Sequence, residues 1–382
     1  MEGVESIERA LEEDLEDWEL VTRFLPEDWE RMARVTRALR RTKKFADADS
    51  LLRTLLIHLA AGCSLMETAA RARRGGVAQV SGVAVWKRLR EAGEWFRWMA
   101  QALMAQWVER LPHAILPGGY RLRLVDASTV SEPGSTGSDW RLHYAVELGT
   151  LQCDFVEVTD VKAGESFKRF PVQAGDLLIG DRAYANPPGV AHVVRNGGDV
   201  LVRLTRTNLP LETPEGRAFP LVKRLERLGR TEVGDWACRV KSDRPAEGFL
   251  AGRVCAIRKS RAAAERARTE LLREAQKDKR TVHPDTLTLA SYVVIFTTVP
   301  APRLSAVAAL EVYRGRWQIE LVFKRLKSLL ALGHLPKKDP QGAKAWLLGK
   351  LLVAFLVEAF IHAGEAFFPW GYPLGAPRPE GR

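Results

Sequence analysis

At Tyr120 the spacing of apolar residues changes from helical to alternating, and the two clearest strands beyond it both run out on an aspartate. The segment RLRLVDAS alternates polar and apolar side chains, which predicts a strand delivering Asp126 to its exit. The run DLLIGDRAYAN predicts another strand, ending at Asp181. Between them, SEPGSTGSD has the Gly, Pro and Ser of a turn, and WRLHYAVEL and CDFVEVTDV read as further strands. DVLVRLTR and, much later, SYVVIFTTVP continue the pattern. Such a chain must build an α/β sheet with acids at strand ends.

The residues before Tyr120 read as helical. Residues 4–18 are acidic and amphipathic, and Arg34 to Lys44 form a basic run containing Arg40 and Arg41. LLRTLLIHLAAG predicts a helix ended by Gly62; Ser64, with Glu67 three residues on, opens a second, which Gly75-Gly76 breaks. Ser81 caps a third, longer helix carrying Trp86, Lys87, Arg88, Arg90, Trp95 and Trp98. This order fits a helix-turn-helix-like DNA module and equally a plain bundle with a solvated basic face.

Overall charge does not decide between the two, since a basic balance fits ribosomal, membrane-surface and nucleic-acid proteins alike. The 382 residues carry 58 Lys+Arg against 47 Asp+Glu, a formal +11, which suits a polyanionic partner. Four scattered cysteines with no CxxC pair predict reduced thiols in a cytosolic protein rather than a zinc knuckle or disulfide scaffold. The acidic start lacks a signal-peptide pattern. The apolar stretch 347–368 is interrupted by Lys350, Glu358, His362 and Glu365, so it predicts a buried or interfacial helix and no membrane span.

A helix predicted from Leu310 to Leu330 carries the most informative pattern. On one continuous helix Tyr313, Arg316, Glu320, Lys324 and Lys327 fall within about an 80° stripe, opposite Ile319, Val322, Leu326 and Leu329. One acid flanked by phosphate-binding types is read either as a functional stripe or as a solvated face with ion pairs such as Glu320 with Arg316 or Lys324. Two strand-end aspartates joined by a helix glutamate could form an oxygen-only site for Mg²⁺ or Mn²⁺, suited to phosphodiester displacement. No P-loop, GxSxG or HExxH is present, which disfavours nucleotide hydrolases, serine hydrolases and zinc proteases.

Tyr313-x-x-Arg316-x-x-x-Glu320, followed by Lys327, resembles the Tyr–Arg–Glu–Lys signature of the DDE transposases of bacterial insertion-sequence family 4. The blocks VDAS, GSDWRLHY and GDRAY resemble the surroundings of that family's first two catalytic aspartates, and the likeness spans roughly residues 40–365. It implies a ribonuclease-H-like α/β core in which Asp126, Asp181 and Glu320 are catalytic and bind two Mg²⁺ ions, with Mn²⁺ able to substitute. It implies DNA-phosphate contacts from Tyr313, Arg316 and Lys327, and places Tyr292 where some relatives stack an aromatic ring on a flipped base. A strand Tyr filling the core edge is the other reading of that residue. Lys324, Arg40, Arg41, Lys87 and Arg88 are further expected DNA contacts. His143 could approach the site or be structural, the run Arg258–Arg280 could face DNA or solvent, and Trp236 reads as a hairpin core residue. Phe355, Phe360, Phe367 and Phe368 read as core or dimer contacts.

The resemblance therefore implies a cut-and-paste transposase. It would bind terminal inverted repeats, cleave the ends, possess a hairpin route in some relatives, and join the 3′-OH to target DNA as a homodimer in the bacterial cytoplasm. The expected division is a helical DNA-binding region at 1–112, core parts at 113–206 and 291–335, a β-rich insertion with a basic helix at 207–290, and a dimerisation region at 336–382. The alternatives are a ribonuclease-H-like nuclease without strand transfer and a domesticated, non-catalytic DNA-binding protein.

Overall fold

Aspartate and serine stand at the starts of the first helices of the computed structural model, which describes residues 18–41, 44–110, 119–135, 139–149, 152–329, 335 and 339–366. The amphipathic stretch expected at 4–18 lies outside these except for Trp18, as do Phe367 and Phe368. Helices α1 (Trp29–Val35), α2 (Ala48–Ala61), α3 (Leu65–Arg74), α4 (Gly82–Glu91) and α5 (Gly93–Arg110) come first. Ser64 Oγ accepts the Glu67 N–H at 3.1 Å and Ser81 Oγ the Ala84 N–H at 3.3 Å, satisfying helix-end donors as expected. Gly62 (φ +67°) closes α2 in the left-handed region. The single long helix expected after Ser81 is instead two, α4 and α5, meeting at Ala92 and Gly93.

The chain divides into two compact units. The helical unit comprises residues 1–110, 129–140 and 324–382, and its core is closed by the long C-terminal helix α12 (Pro340–Ala366). Small residues let α12 approach its neighbours closely. A Cβ on Gly342 would lie 2.0 Å from Trp86, and one on Gly349 would lie 2.6 Å from Leu59. Leu351, Leu352 and Phe355 are fully buried. Phe24 and Phe360 pack at 4.6 Å, and Trp95 stacks on Trp29 at 6.1 Å while donating to its carbonyl at 2.8 Å. Among the described residues of 336–382, the buried apolar side chains of α12 therefore pack within this unit. No helix among the described residues is long and apolar enough to cross a membrane.

The sheet unit comprises 111–128 and 141–323. Its strands are β1 (Arg121–Val130), β2 (Trp140–Glu147), β3 (Cys153–Asp160), β4 (Asp176–Gly180), β5 (Asp199–Arg203), β6 (Leu211–Glu212), β7 (Val233–Lys241), β8 (Phe249–Arg258) and β9 (Tyr292–Thr297). They form one mixed sheet in the order β3-β2-β1-β4-β5-β9-β8-β7-β6. The β1–β4 and β4–β5 pairs are parallel, and the pairs from β5–β9 outward are antiparallel. Helix α6 (Pro187–Arg195) connects β4 to β5, as a parallel crossover requires.

The expected insertion at 207–290 contains β6, α7 (Leu221–Glu226), the β7–β8 hairpin, α8 (Arg261–Lys277) and α9 (Pro284–Leu289). Its strands are not a separate layer. β8 pairs with β9 from Arg253↔Thr297 to Arg258↔Tyr292, so the hairpin extends the central sheet. Close packing enforces this: a Cβ on Gly252 would lie 2.4 Å from Phe296.

The helix expected over 310–330 is also two, α10 (Ala306–Arg314) and α11 (Trp317–Leu329). At the join, Gly315, Arg316, Gln318 and Ile319 donate three residues back, to Val312, Tyr313, Gly315 and Arg316, which tightens the backbone. Any Cβ at Gly315 would stand 3.0 Å from Leu148 Cδ2 and 3.1 Å from the Val312 carbonyl, so a larger residue would crowd this turn.

Candidate active site

Strand register, rather than a strand end, positions the first acid. β1 continues to Val130, so Asp126 lies within the strand and not at its exit as expected. The parallel partner stops sooner: the β1–β4 pairs run from Arg121↔Asp176 to Leu124↔Ile179, and β4 ends at Gly180. Extending that register by two residues sets Asp126 level with Asp181, where β4 no longer covers β1. A crevice beyond the carboxyl ends of parallel strands is where α/β sheets place their ligands.

Asp181 closes a tight turn. Its Oδ1 accepts the Ala183 N–H at 2.7 Å, and its carbonyl accepts the Tyr184 N–H at 3.2 Å. Asn208 donates to the Arg182 carbonyl at 2.6 Å, and Asn186 caps α6 by accepting the Gly189 N–H at 2.9 Å. Asp126 accepts the N–H of Ala127 at 2.8 Å. Burial pushes its carboxyl up to about 7; Asp181 and Glu165 add to the rise, while the Ala127 N–H and Arg316 oppose it.

Arg316, in the turn between α10 and α11, links the helices to the strands. Its Nη1 lies 3.6 Å from Asp126 Oδ2, and its Nη2 is ion-paired to Glu320 Oε1. The Arg316 and Asp126 side chains are each 18% exposed, whereas Glu320 is 57% exposed. One guanidinium therefore bridges two of the three expected acids. The Glu320–Arg316 ion pair anticipated for a solvated face is present, but it also reaches a buried strand carboxylate.

The broken helix redistributes the expected stripe. Tyr313 sits on α10 and is buried, with Arg316 the foremost charged group acting on its hydroxyl. Burial pushes this phenol up to about 12, with Asp181 adding and Arg316 and Arg203 opposing. Lys324 and Lys327 lie farther along α11 and are exposed. The five residues are not one exposed face, because the turn at Gly315 rotates Tyr313 into the core.

Other expected contacts separate clearly. Arg40, Arg41 and Lys87 are exposed; Arg40 lies 3.8 Å from Glu91. Arg88 is half-buried, ion-paired to Glu91 at 2.9 Å and donating to the Ala38 carbonyl at 3.3 Å, so it ties the helical unit together. Tyr292 is buried in the sheet core with Val294 and Phe296, the inward set of β9. Its hydroxyl accepts from Arg258 Nη2 at 2.8 Å, so the ring is not displayed for stacking on a base. His143 is buried, 3.0 Å from Thr159 Oγ1; burial lowers it to about 4, aided by Arg169 and Arg141, so it is neutral at pH 7.

Two residues near the acids were not singled out in sequence. Glu165 lies in the loop between β3 and the 3-10 turn Phe167–Arg169, with Arg141 Nε 3.7 Å away. Tyr184 belongs to the recognised GDRAY block but carried no expected role. Only a Gly-Ser-flanked charge marks Glu165 in the sequence, and nothing there pairs it with residues 39 and 16 positions away.

The donor chemistry fits a hard divalent cation. Carboxylate oxygens are its preferred ligands, and partial burial with Asp181 and Glu165 nearby makes the charged form of Asp126 costly, a cost a cation would relieve. Convergence is incomplete: among the described residues no three His, Cys, Asp or Glu stand close enough to hold one ion. Glu320 is held outward by Arg316.

Comparison with known proteins agrees with this chemistry. Residues 117–356 match the family profile described as transposase DDE domain. The transposases given for insertion sequence elements IS186A and IS186B of Escherichia coli (strain K12) are each 35% identical over 347 residues, covering 90% of this chain and 93% of the relative. The transposase for insertion sequence element IS421 of Escherichia coli is 35% identical over 348 residues, with the same coverage.

Proposed function

Because the chain belongs to the DDE-domain transposase family, and is a DNA transposase whose chemistry depends on divalent metal, we propose that Asp126, Asp181 and Glu320 are its catalytic carboxylates. The observation that carries this assignment is the bridging guanidinium of Arg316 between Asp126 and Glu320, beside the uncovered end of the β1–β4 pair. We take the sheet around β1, β4 and β5 as a ribonuclease-H-like core.

Two Mg²⁺ ions, or Mn²⁺ in their place, would be held by Asp126, Asp181 and Glu320; a bound ion supplies charge stabilisation at the attacking and leaving oxygens of an in-line displacement. The side chains prepare the rest. Asp126 and Asp181 sit on rigid backbone, one in a strand and one in a hydrogen-bonded turn, which preserves their spacing. Arg316 neutralises Asp126 and Glu320 until DNA arrives, then transfers its charge-assisted bonds to a phosphate near the element's end. That exchange frees Glu320 to turn inward. Exposed Lys327 and Lys324, together with Arg40, Arg41 and Lys87, contact phosphates along the duplex. Tyr313 lines the site from the core side.

The reaction is end cleavage followed by joining. Water attacks the phosphorus at the element's terminal inverted repeat, the P–O3′ bond breaks, and the strand leaves as a 3′-OH. That 3′-OH then attacks a target phosphodiester: its oxygen forms the new bond to phosphorus, the target's P–O3′ bond breaks, and the proton passes by way of solvent to the leaving target 3′-oxygen. Two ends act together in a homodimer.

The test uses the full chain with Asp126→Ala, Asp181→Ala and Glu320→Ala on DNA carrying the element's ends. Each variant should retain end binding in gel-shift assays and lose Mg²⁺-dependent cleavage by about a thousandfold. Wild-type cleavage by any one removes that residue from the site. Cleavage by the wild-type chain with no joined product from a precut end and target plasmid would assign a nuclease instead.

A further inference from the structure

Arg239 and Arg224 both lie over aromatic rings in the stretch 207–290, but they differ in what balances their charge. Arg239 Cζ is 3.8 Å from the centre of the Phe249 ring, and its Nη2 is ion-paired to Glu212 at 2.9 Å. Arg224 Cζ is 4.8 Å from the centre of the Phe219 ring and 5.8 Å from that of Trp236. Among the described residues its guanidinium has no ion pair and no hydrogen bond. Glu215 feels its charge, as it does that of Arg217, from outside ion-pair distance. The two rings therefore hold a planar cation in place and leave its donors unused.

The strand is shaped to receive this arrangement. A Cβ on Gly234 would lie 2.3 Å from Trp236 Cη2 and 2.5 Å from its Cζ2, so glycine makes the room in which the indole lies back along β7. Trp236 packs against the sheet core, as a hairpin core residue should, but it is only half-buried. The rest of the ring borders a hollow of about 400 Å³, lined also by Lys223, Arg224, Arg227, Leu228 and Glu232. Lys223 and Arg227 are exposed, and neither is ion-paired among the described residues. The one acid is turned to the backbone, Glu232 Oε2 accepting the Gly229 N–H at 3.0 Å. Three cations thus surround one hollow. Like charges a helical turn apart oppose one another, and a bound anion reverses that cost.

Strand register places the hollow with respect to the acids. Trp236 pairs with Val254, Val254 with Phe296, Phe296 with Val202 and Val202 with Gly180. Trp236 is therefore level with the residue before Asp181, four strand spacings away, which is about 19 Å at about 4.8 Å each. That span equals about six base-pair steps of about 3.4 Å, so one duplex bound at the acids is long enough to reach it.

We propose that the hollow beside α7 and β7 is a phosphodiester-binding site, in which Arg224, Lys223 and Arg227 hold the backbone of the DNA whose end lies at the catalytic carboxylates. The inference rests on the reading of that crevice given above. Arg224 supplies the fork that fits two phosphate oxygens, and the rings of Phe219 and Trp236 keep it aimed. Lys223 and Arg227 add charge at the rim. Such contacts fix the duplex in register without reading its sequence.

The experiment measures binding of the full chain, in chelator, to a duplex carrying the element's end and to a random duplex of equal length, by fluorescence anisotropy over a range of salt concentrations. Arg224→Gln should weaken both about tenfold and reduce the slope of log affinity against log salt by about one, the mark of a lost phosphate contact. Arg239→Gln removes the same charge from the ring-stacked arginine that already has a carboxylate, and should keep the wild-type slope. Lys223→Gln combined with Arg227→Gln, two exposed side chains, should repeat the loss seen in Arg224→Gln. Should Arg224→Gln fail to fold, that pair alone decides, and a wild-type slope in it rejects the site. A wild-type slope in folded Arg224→Gln also overturns the proposal, and so does an equal fall in Arg239→Gln, because net charge then explains both. A loss confined to the end duplex overturns it too, since backbone contacts do not discriminate sequence. The wild-type chain separates the two claims: failure to bind either duplex would sink the underlying reading, while normal wild-type binding beside unaffected variants sinks only this inference.

Discussion

The same two strands, β1 and β4, carry two charged clusters of opposite design. Near their starts, Arg121 binds Asp176 at 2.6 and 2.9 Å, and Arg123 binds Asp154 at 2.9 Å and Asp176 at 3.2 Å. Asp176 also accepts the Gln173 N–H at 3.0 Å, and Arg123 donates to the Pro171 carbonyl. Two cations meet two anions, all four well buried and hydrogen-bonded. Five residues farther along each strand, Asp126 meets the Arg316 guanidinium at 3.6 Å, Arg316 also pairs Glu320, and Asp181 takes its donors from the backbone. The first cluster pairs its charges closely inside the chain. In the second, burial with Asp181 and Glu165 nearby raises the cost of charging Asp126, and it lies where β4 ends and the crevice opens.

Removing a cation from the complete cluster should have the largest effect on stability. Arg123→Met leaves Asp154 and Asp176 buried without their shared partner, and urea unfolding should show a loss of about 3–5 kcal/mol. If that variant unfolds like wild type, the balanced cluster is not a stability element.

A smaller effect is expected at Gly180, which lies between the clusters on β4. Gly180→Ala forces its new methyl against Tyr184 and Phe167, and should lower stability by about 1–3 kcal/mol, read as a fall in melting temperature. A melting temperature equal to that of wild type would show that the packing of Tyr184 and Phe167 against Gly180 yields without cost.

The smallest and most diagnostic effect is a pH slope. Burial raises the Asp126 carboxyl from 3.8 to about 7. Between those values the folded chain holds a proton that the unfolded chain has released, so this group's contribution falls as pH rises through the window and is lowest above about 7. Asp126→Asn removes that slope. In chelator, its stability relative to wild type should rise from pH 5 to pH 8 by about 1–2 kcal/mol, after allowing for Arg316 and partial exposure. A relative stability independent of pH would show that Asp126 is not strained by its surroundings.

Much of the second cluster was legible in one dimension, but not its assembly. Asp126 and Asp181 were marked by the strands that carry them, and the helix signature marked Arg316 and Glu320. Periodicity projected Tyr313 onto one face with the rest because it assumed a single regular helix; the close approach of Leu148 to Gly315 is a tertiary contact that no helical wheel contains. Tyr292 followed the alternation of β9 into the core, a fate its strand pattern allowed and a motif-based role obscured. Arg88, expected from the sequence as a DNA contact, is bonded by packing to Glu91 and the Ala38 carbonyl. Glu165 had no signal of its own, since a lone acid in a loop looks like any other.

By itself the sequence determined the main helices and strands, the helix caps at Ser64 and Ser81 and the reading as a transposase. These depend on local geometry, on residue chemistry and on a motif short enough to survive in linear form. Only the tertiary structure decided which charges are compensated. Asp176 and Asp181 are five residues apart on one short segment, yet register hands the first to Arg121 and Arg123 and sets the second beside Asp126. Electrostatic balance is a property of neighbours in space, and parallel pairing makes neighbours of residues 55 positions apart.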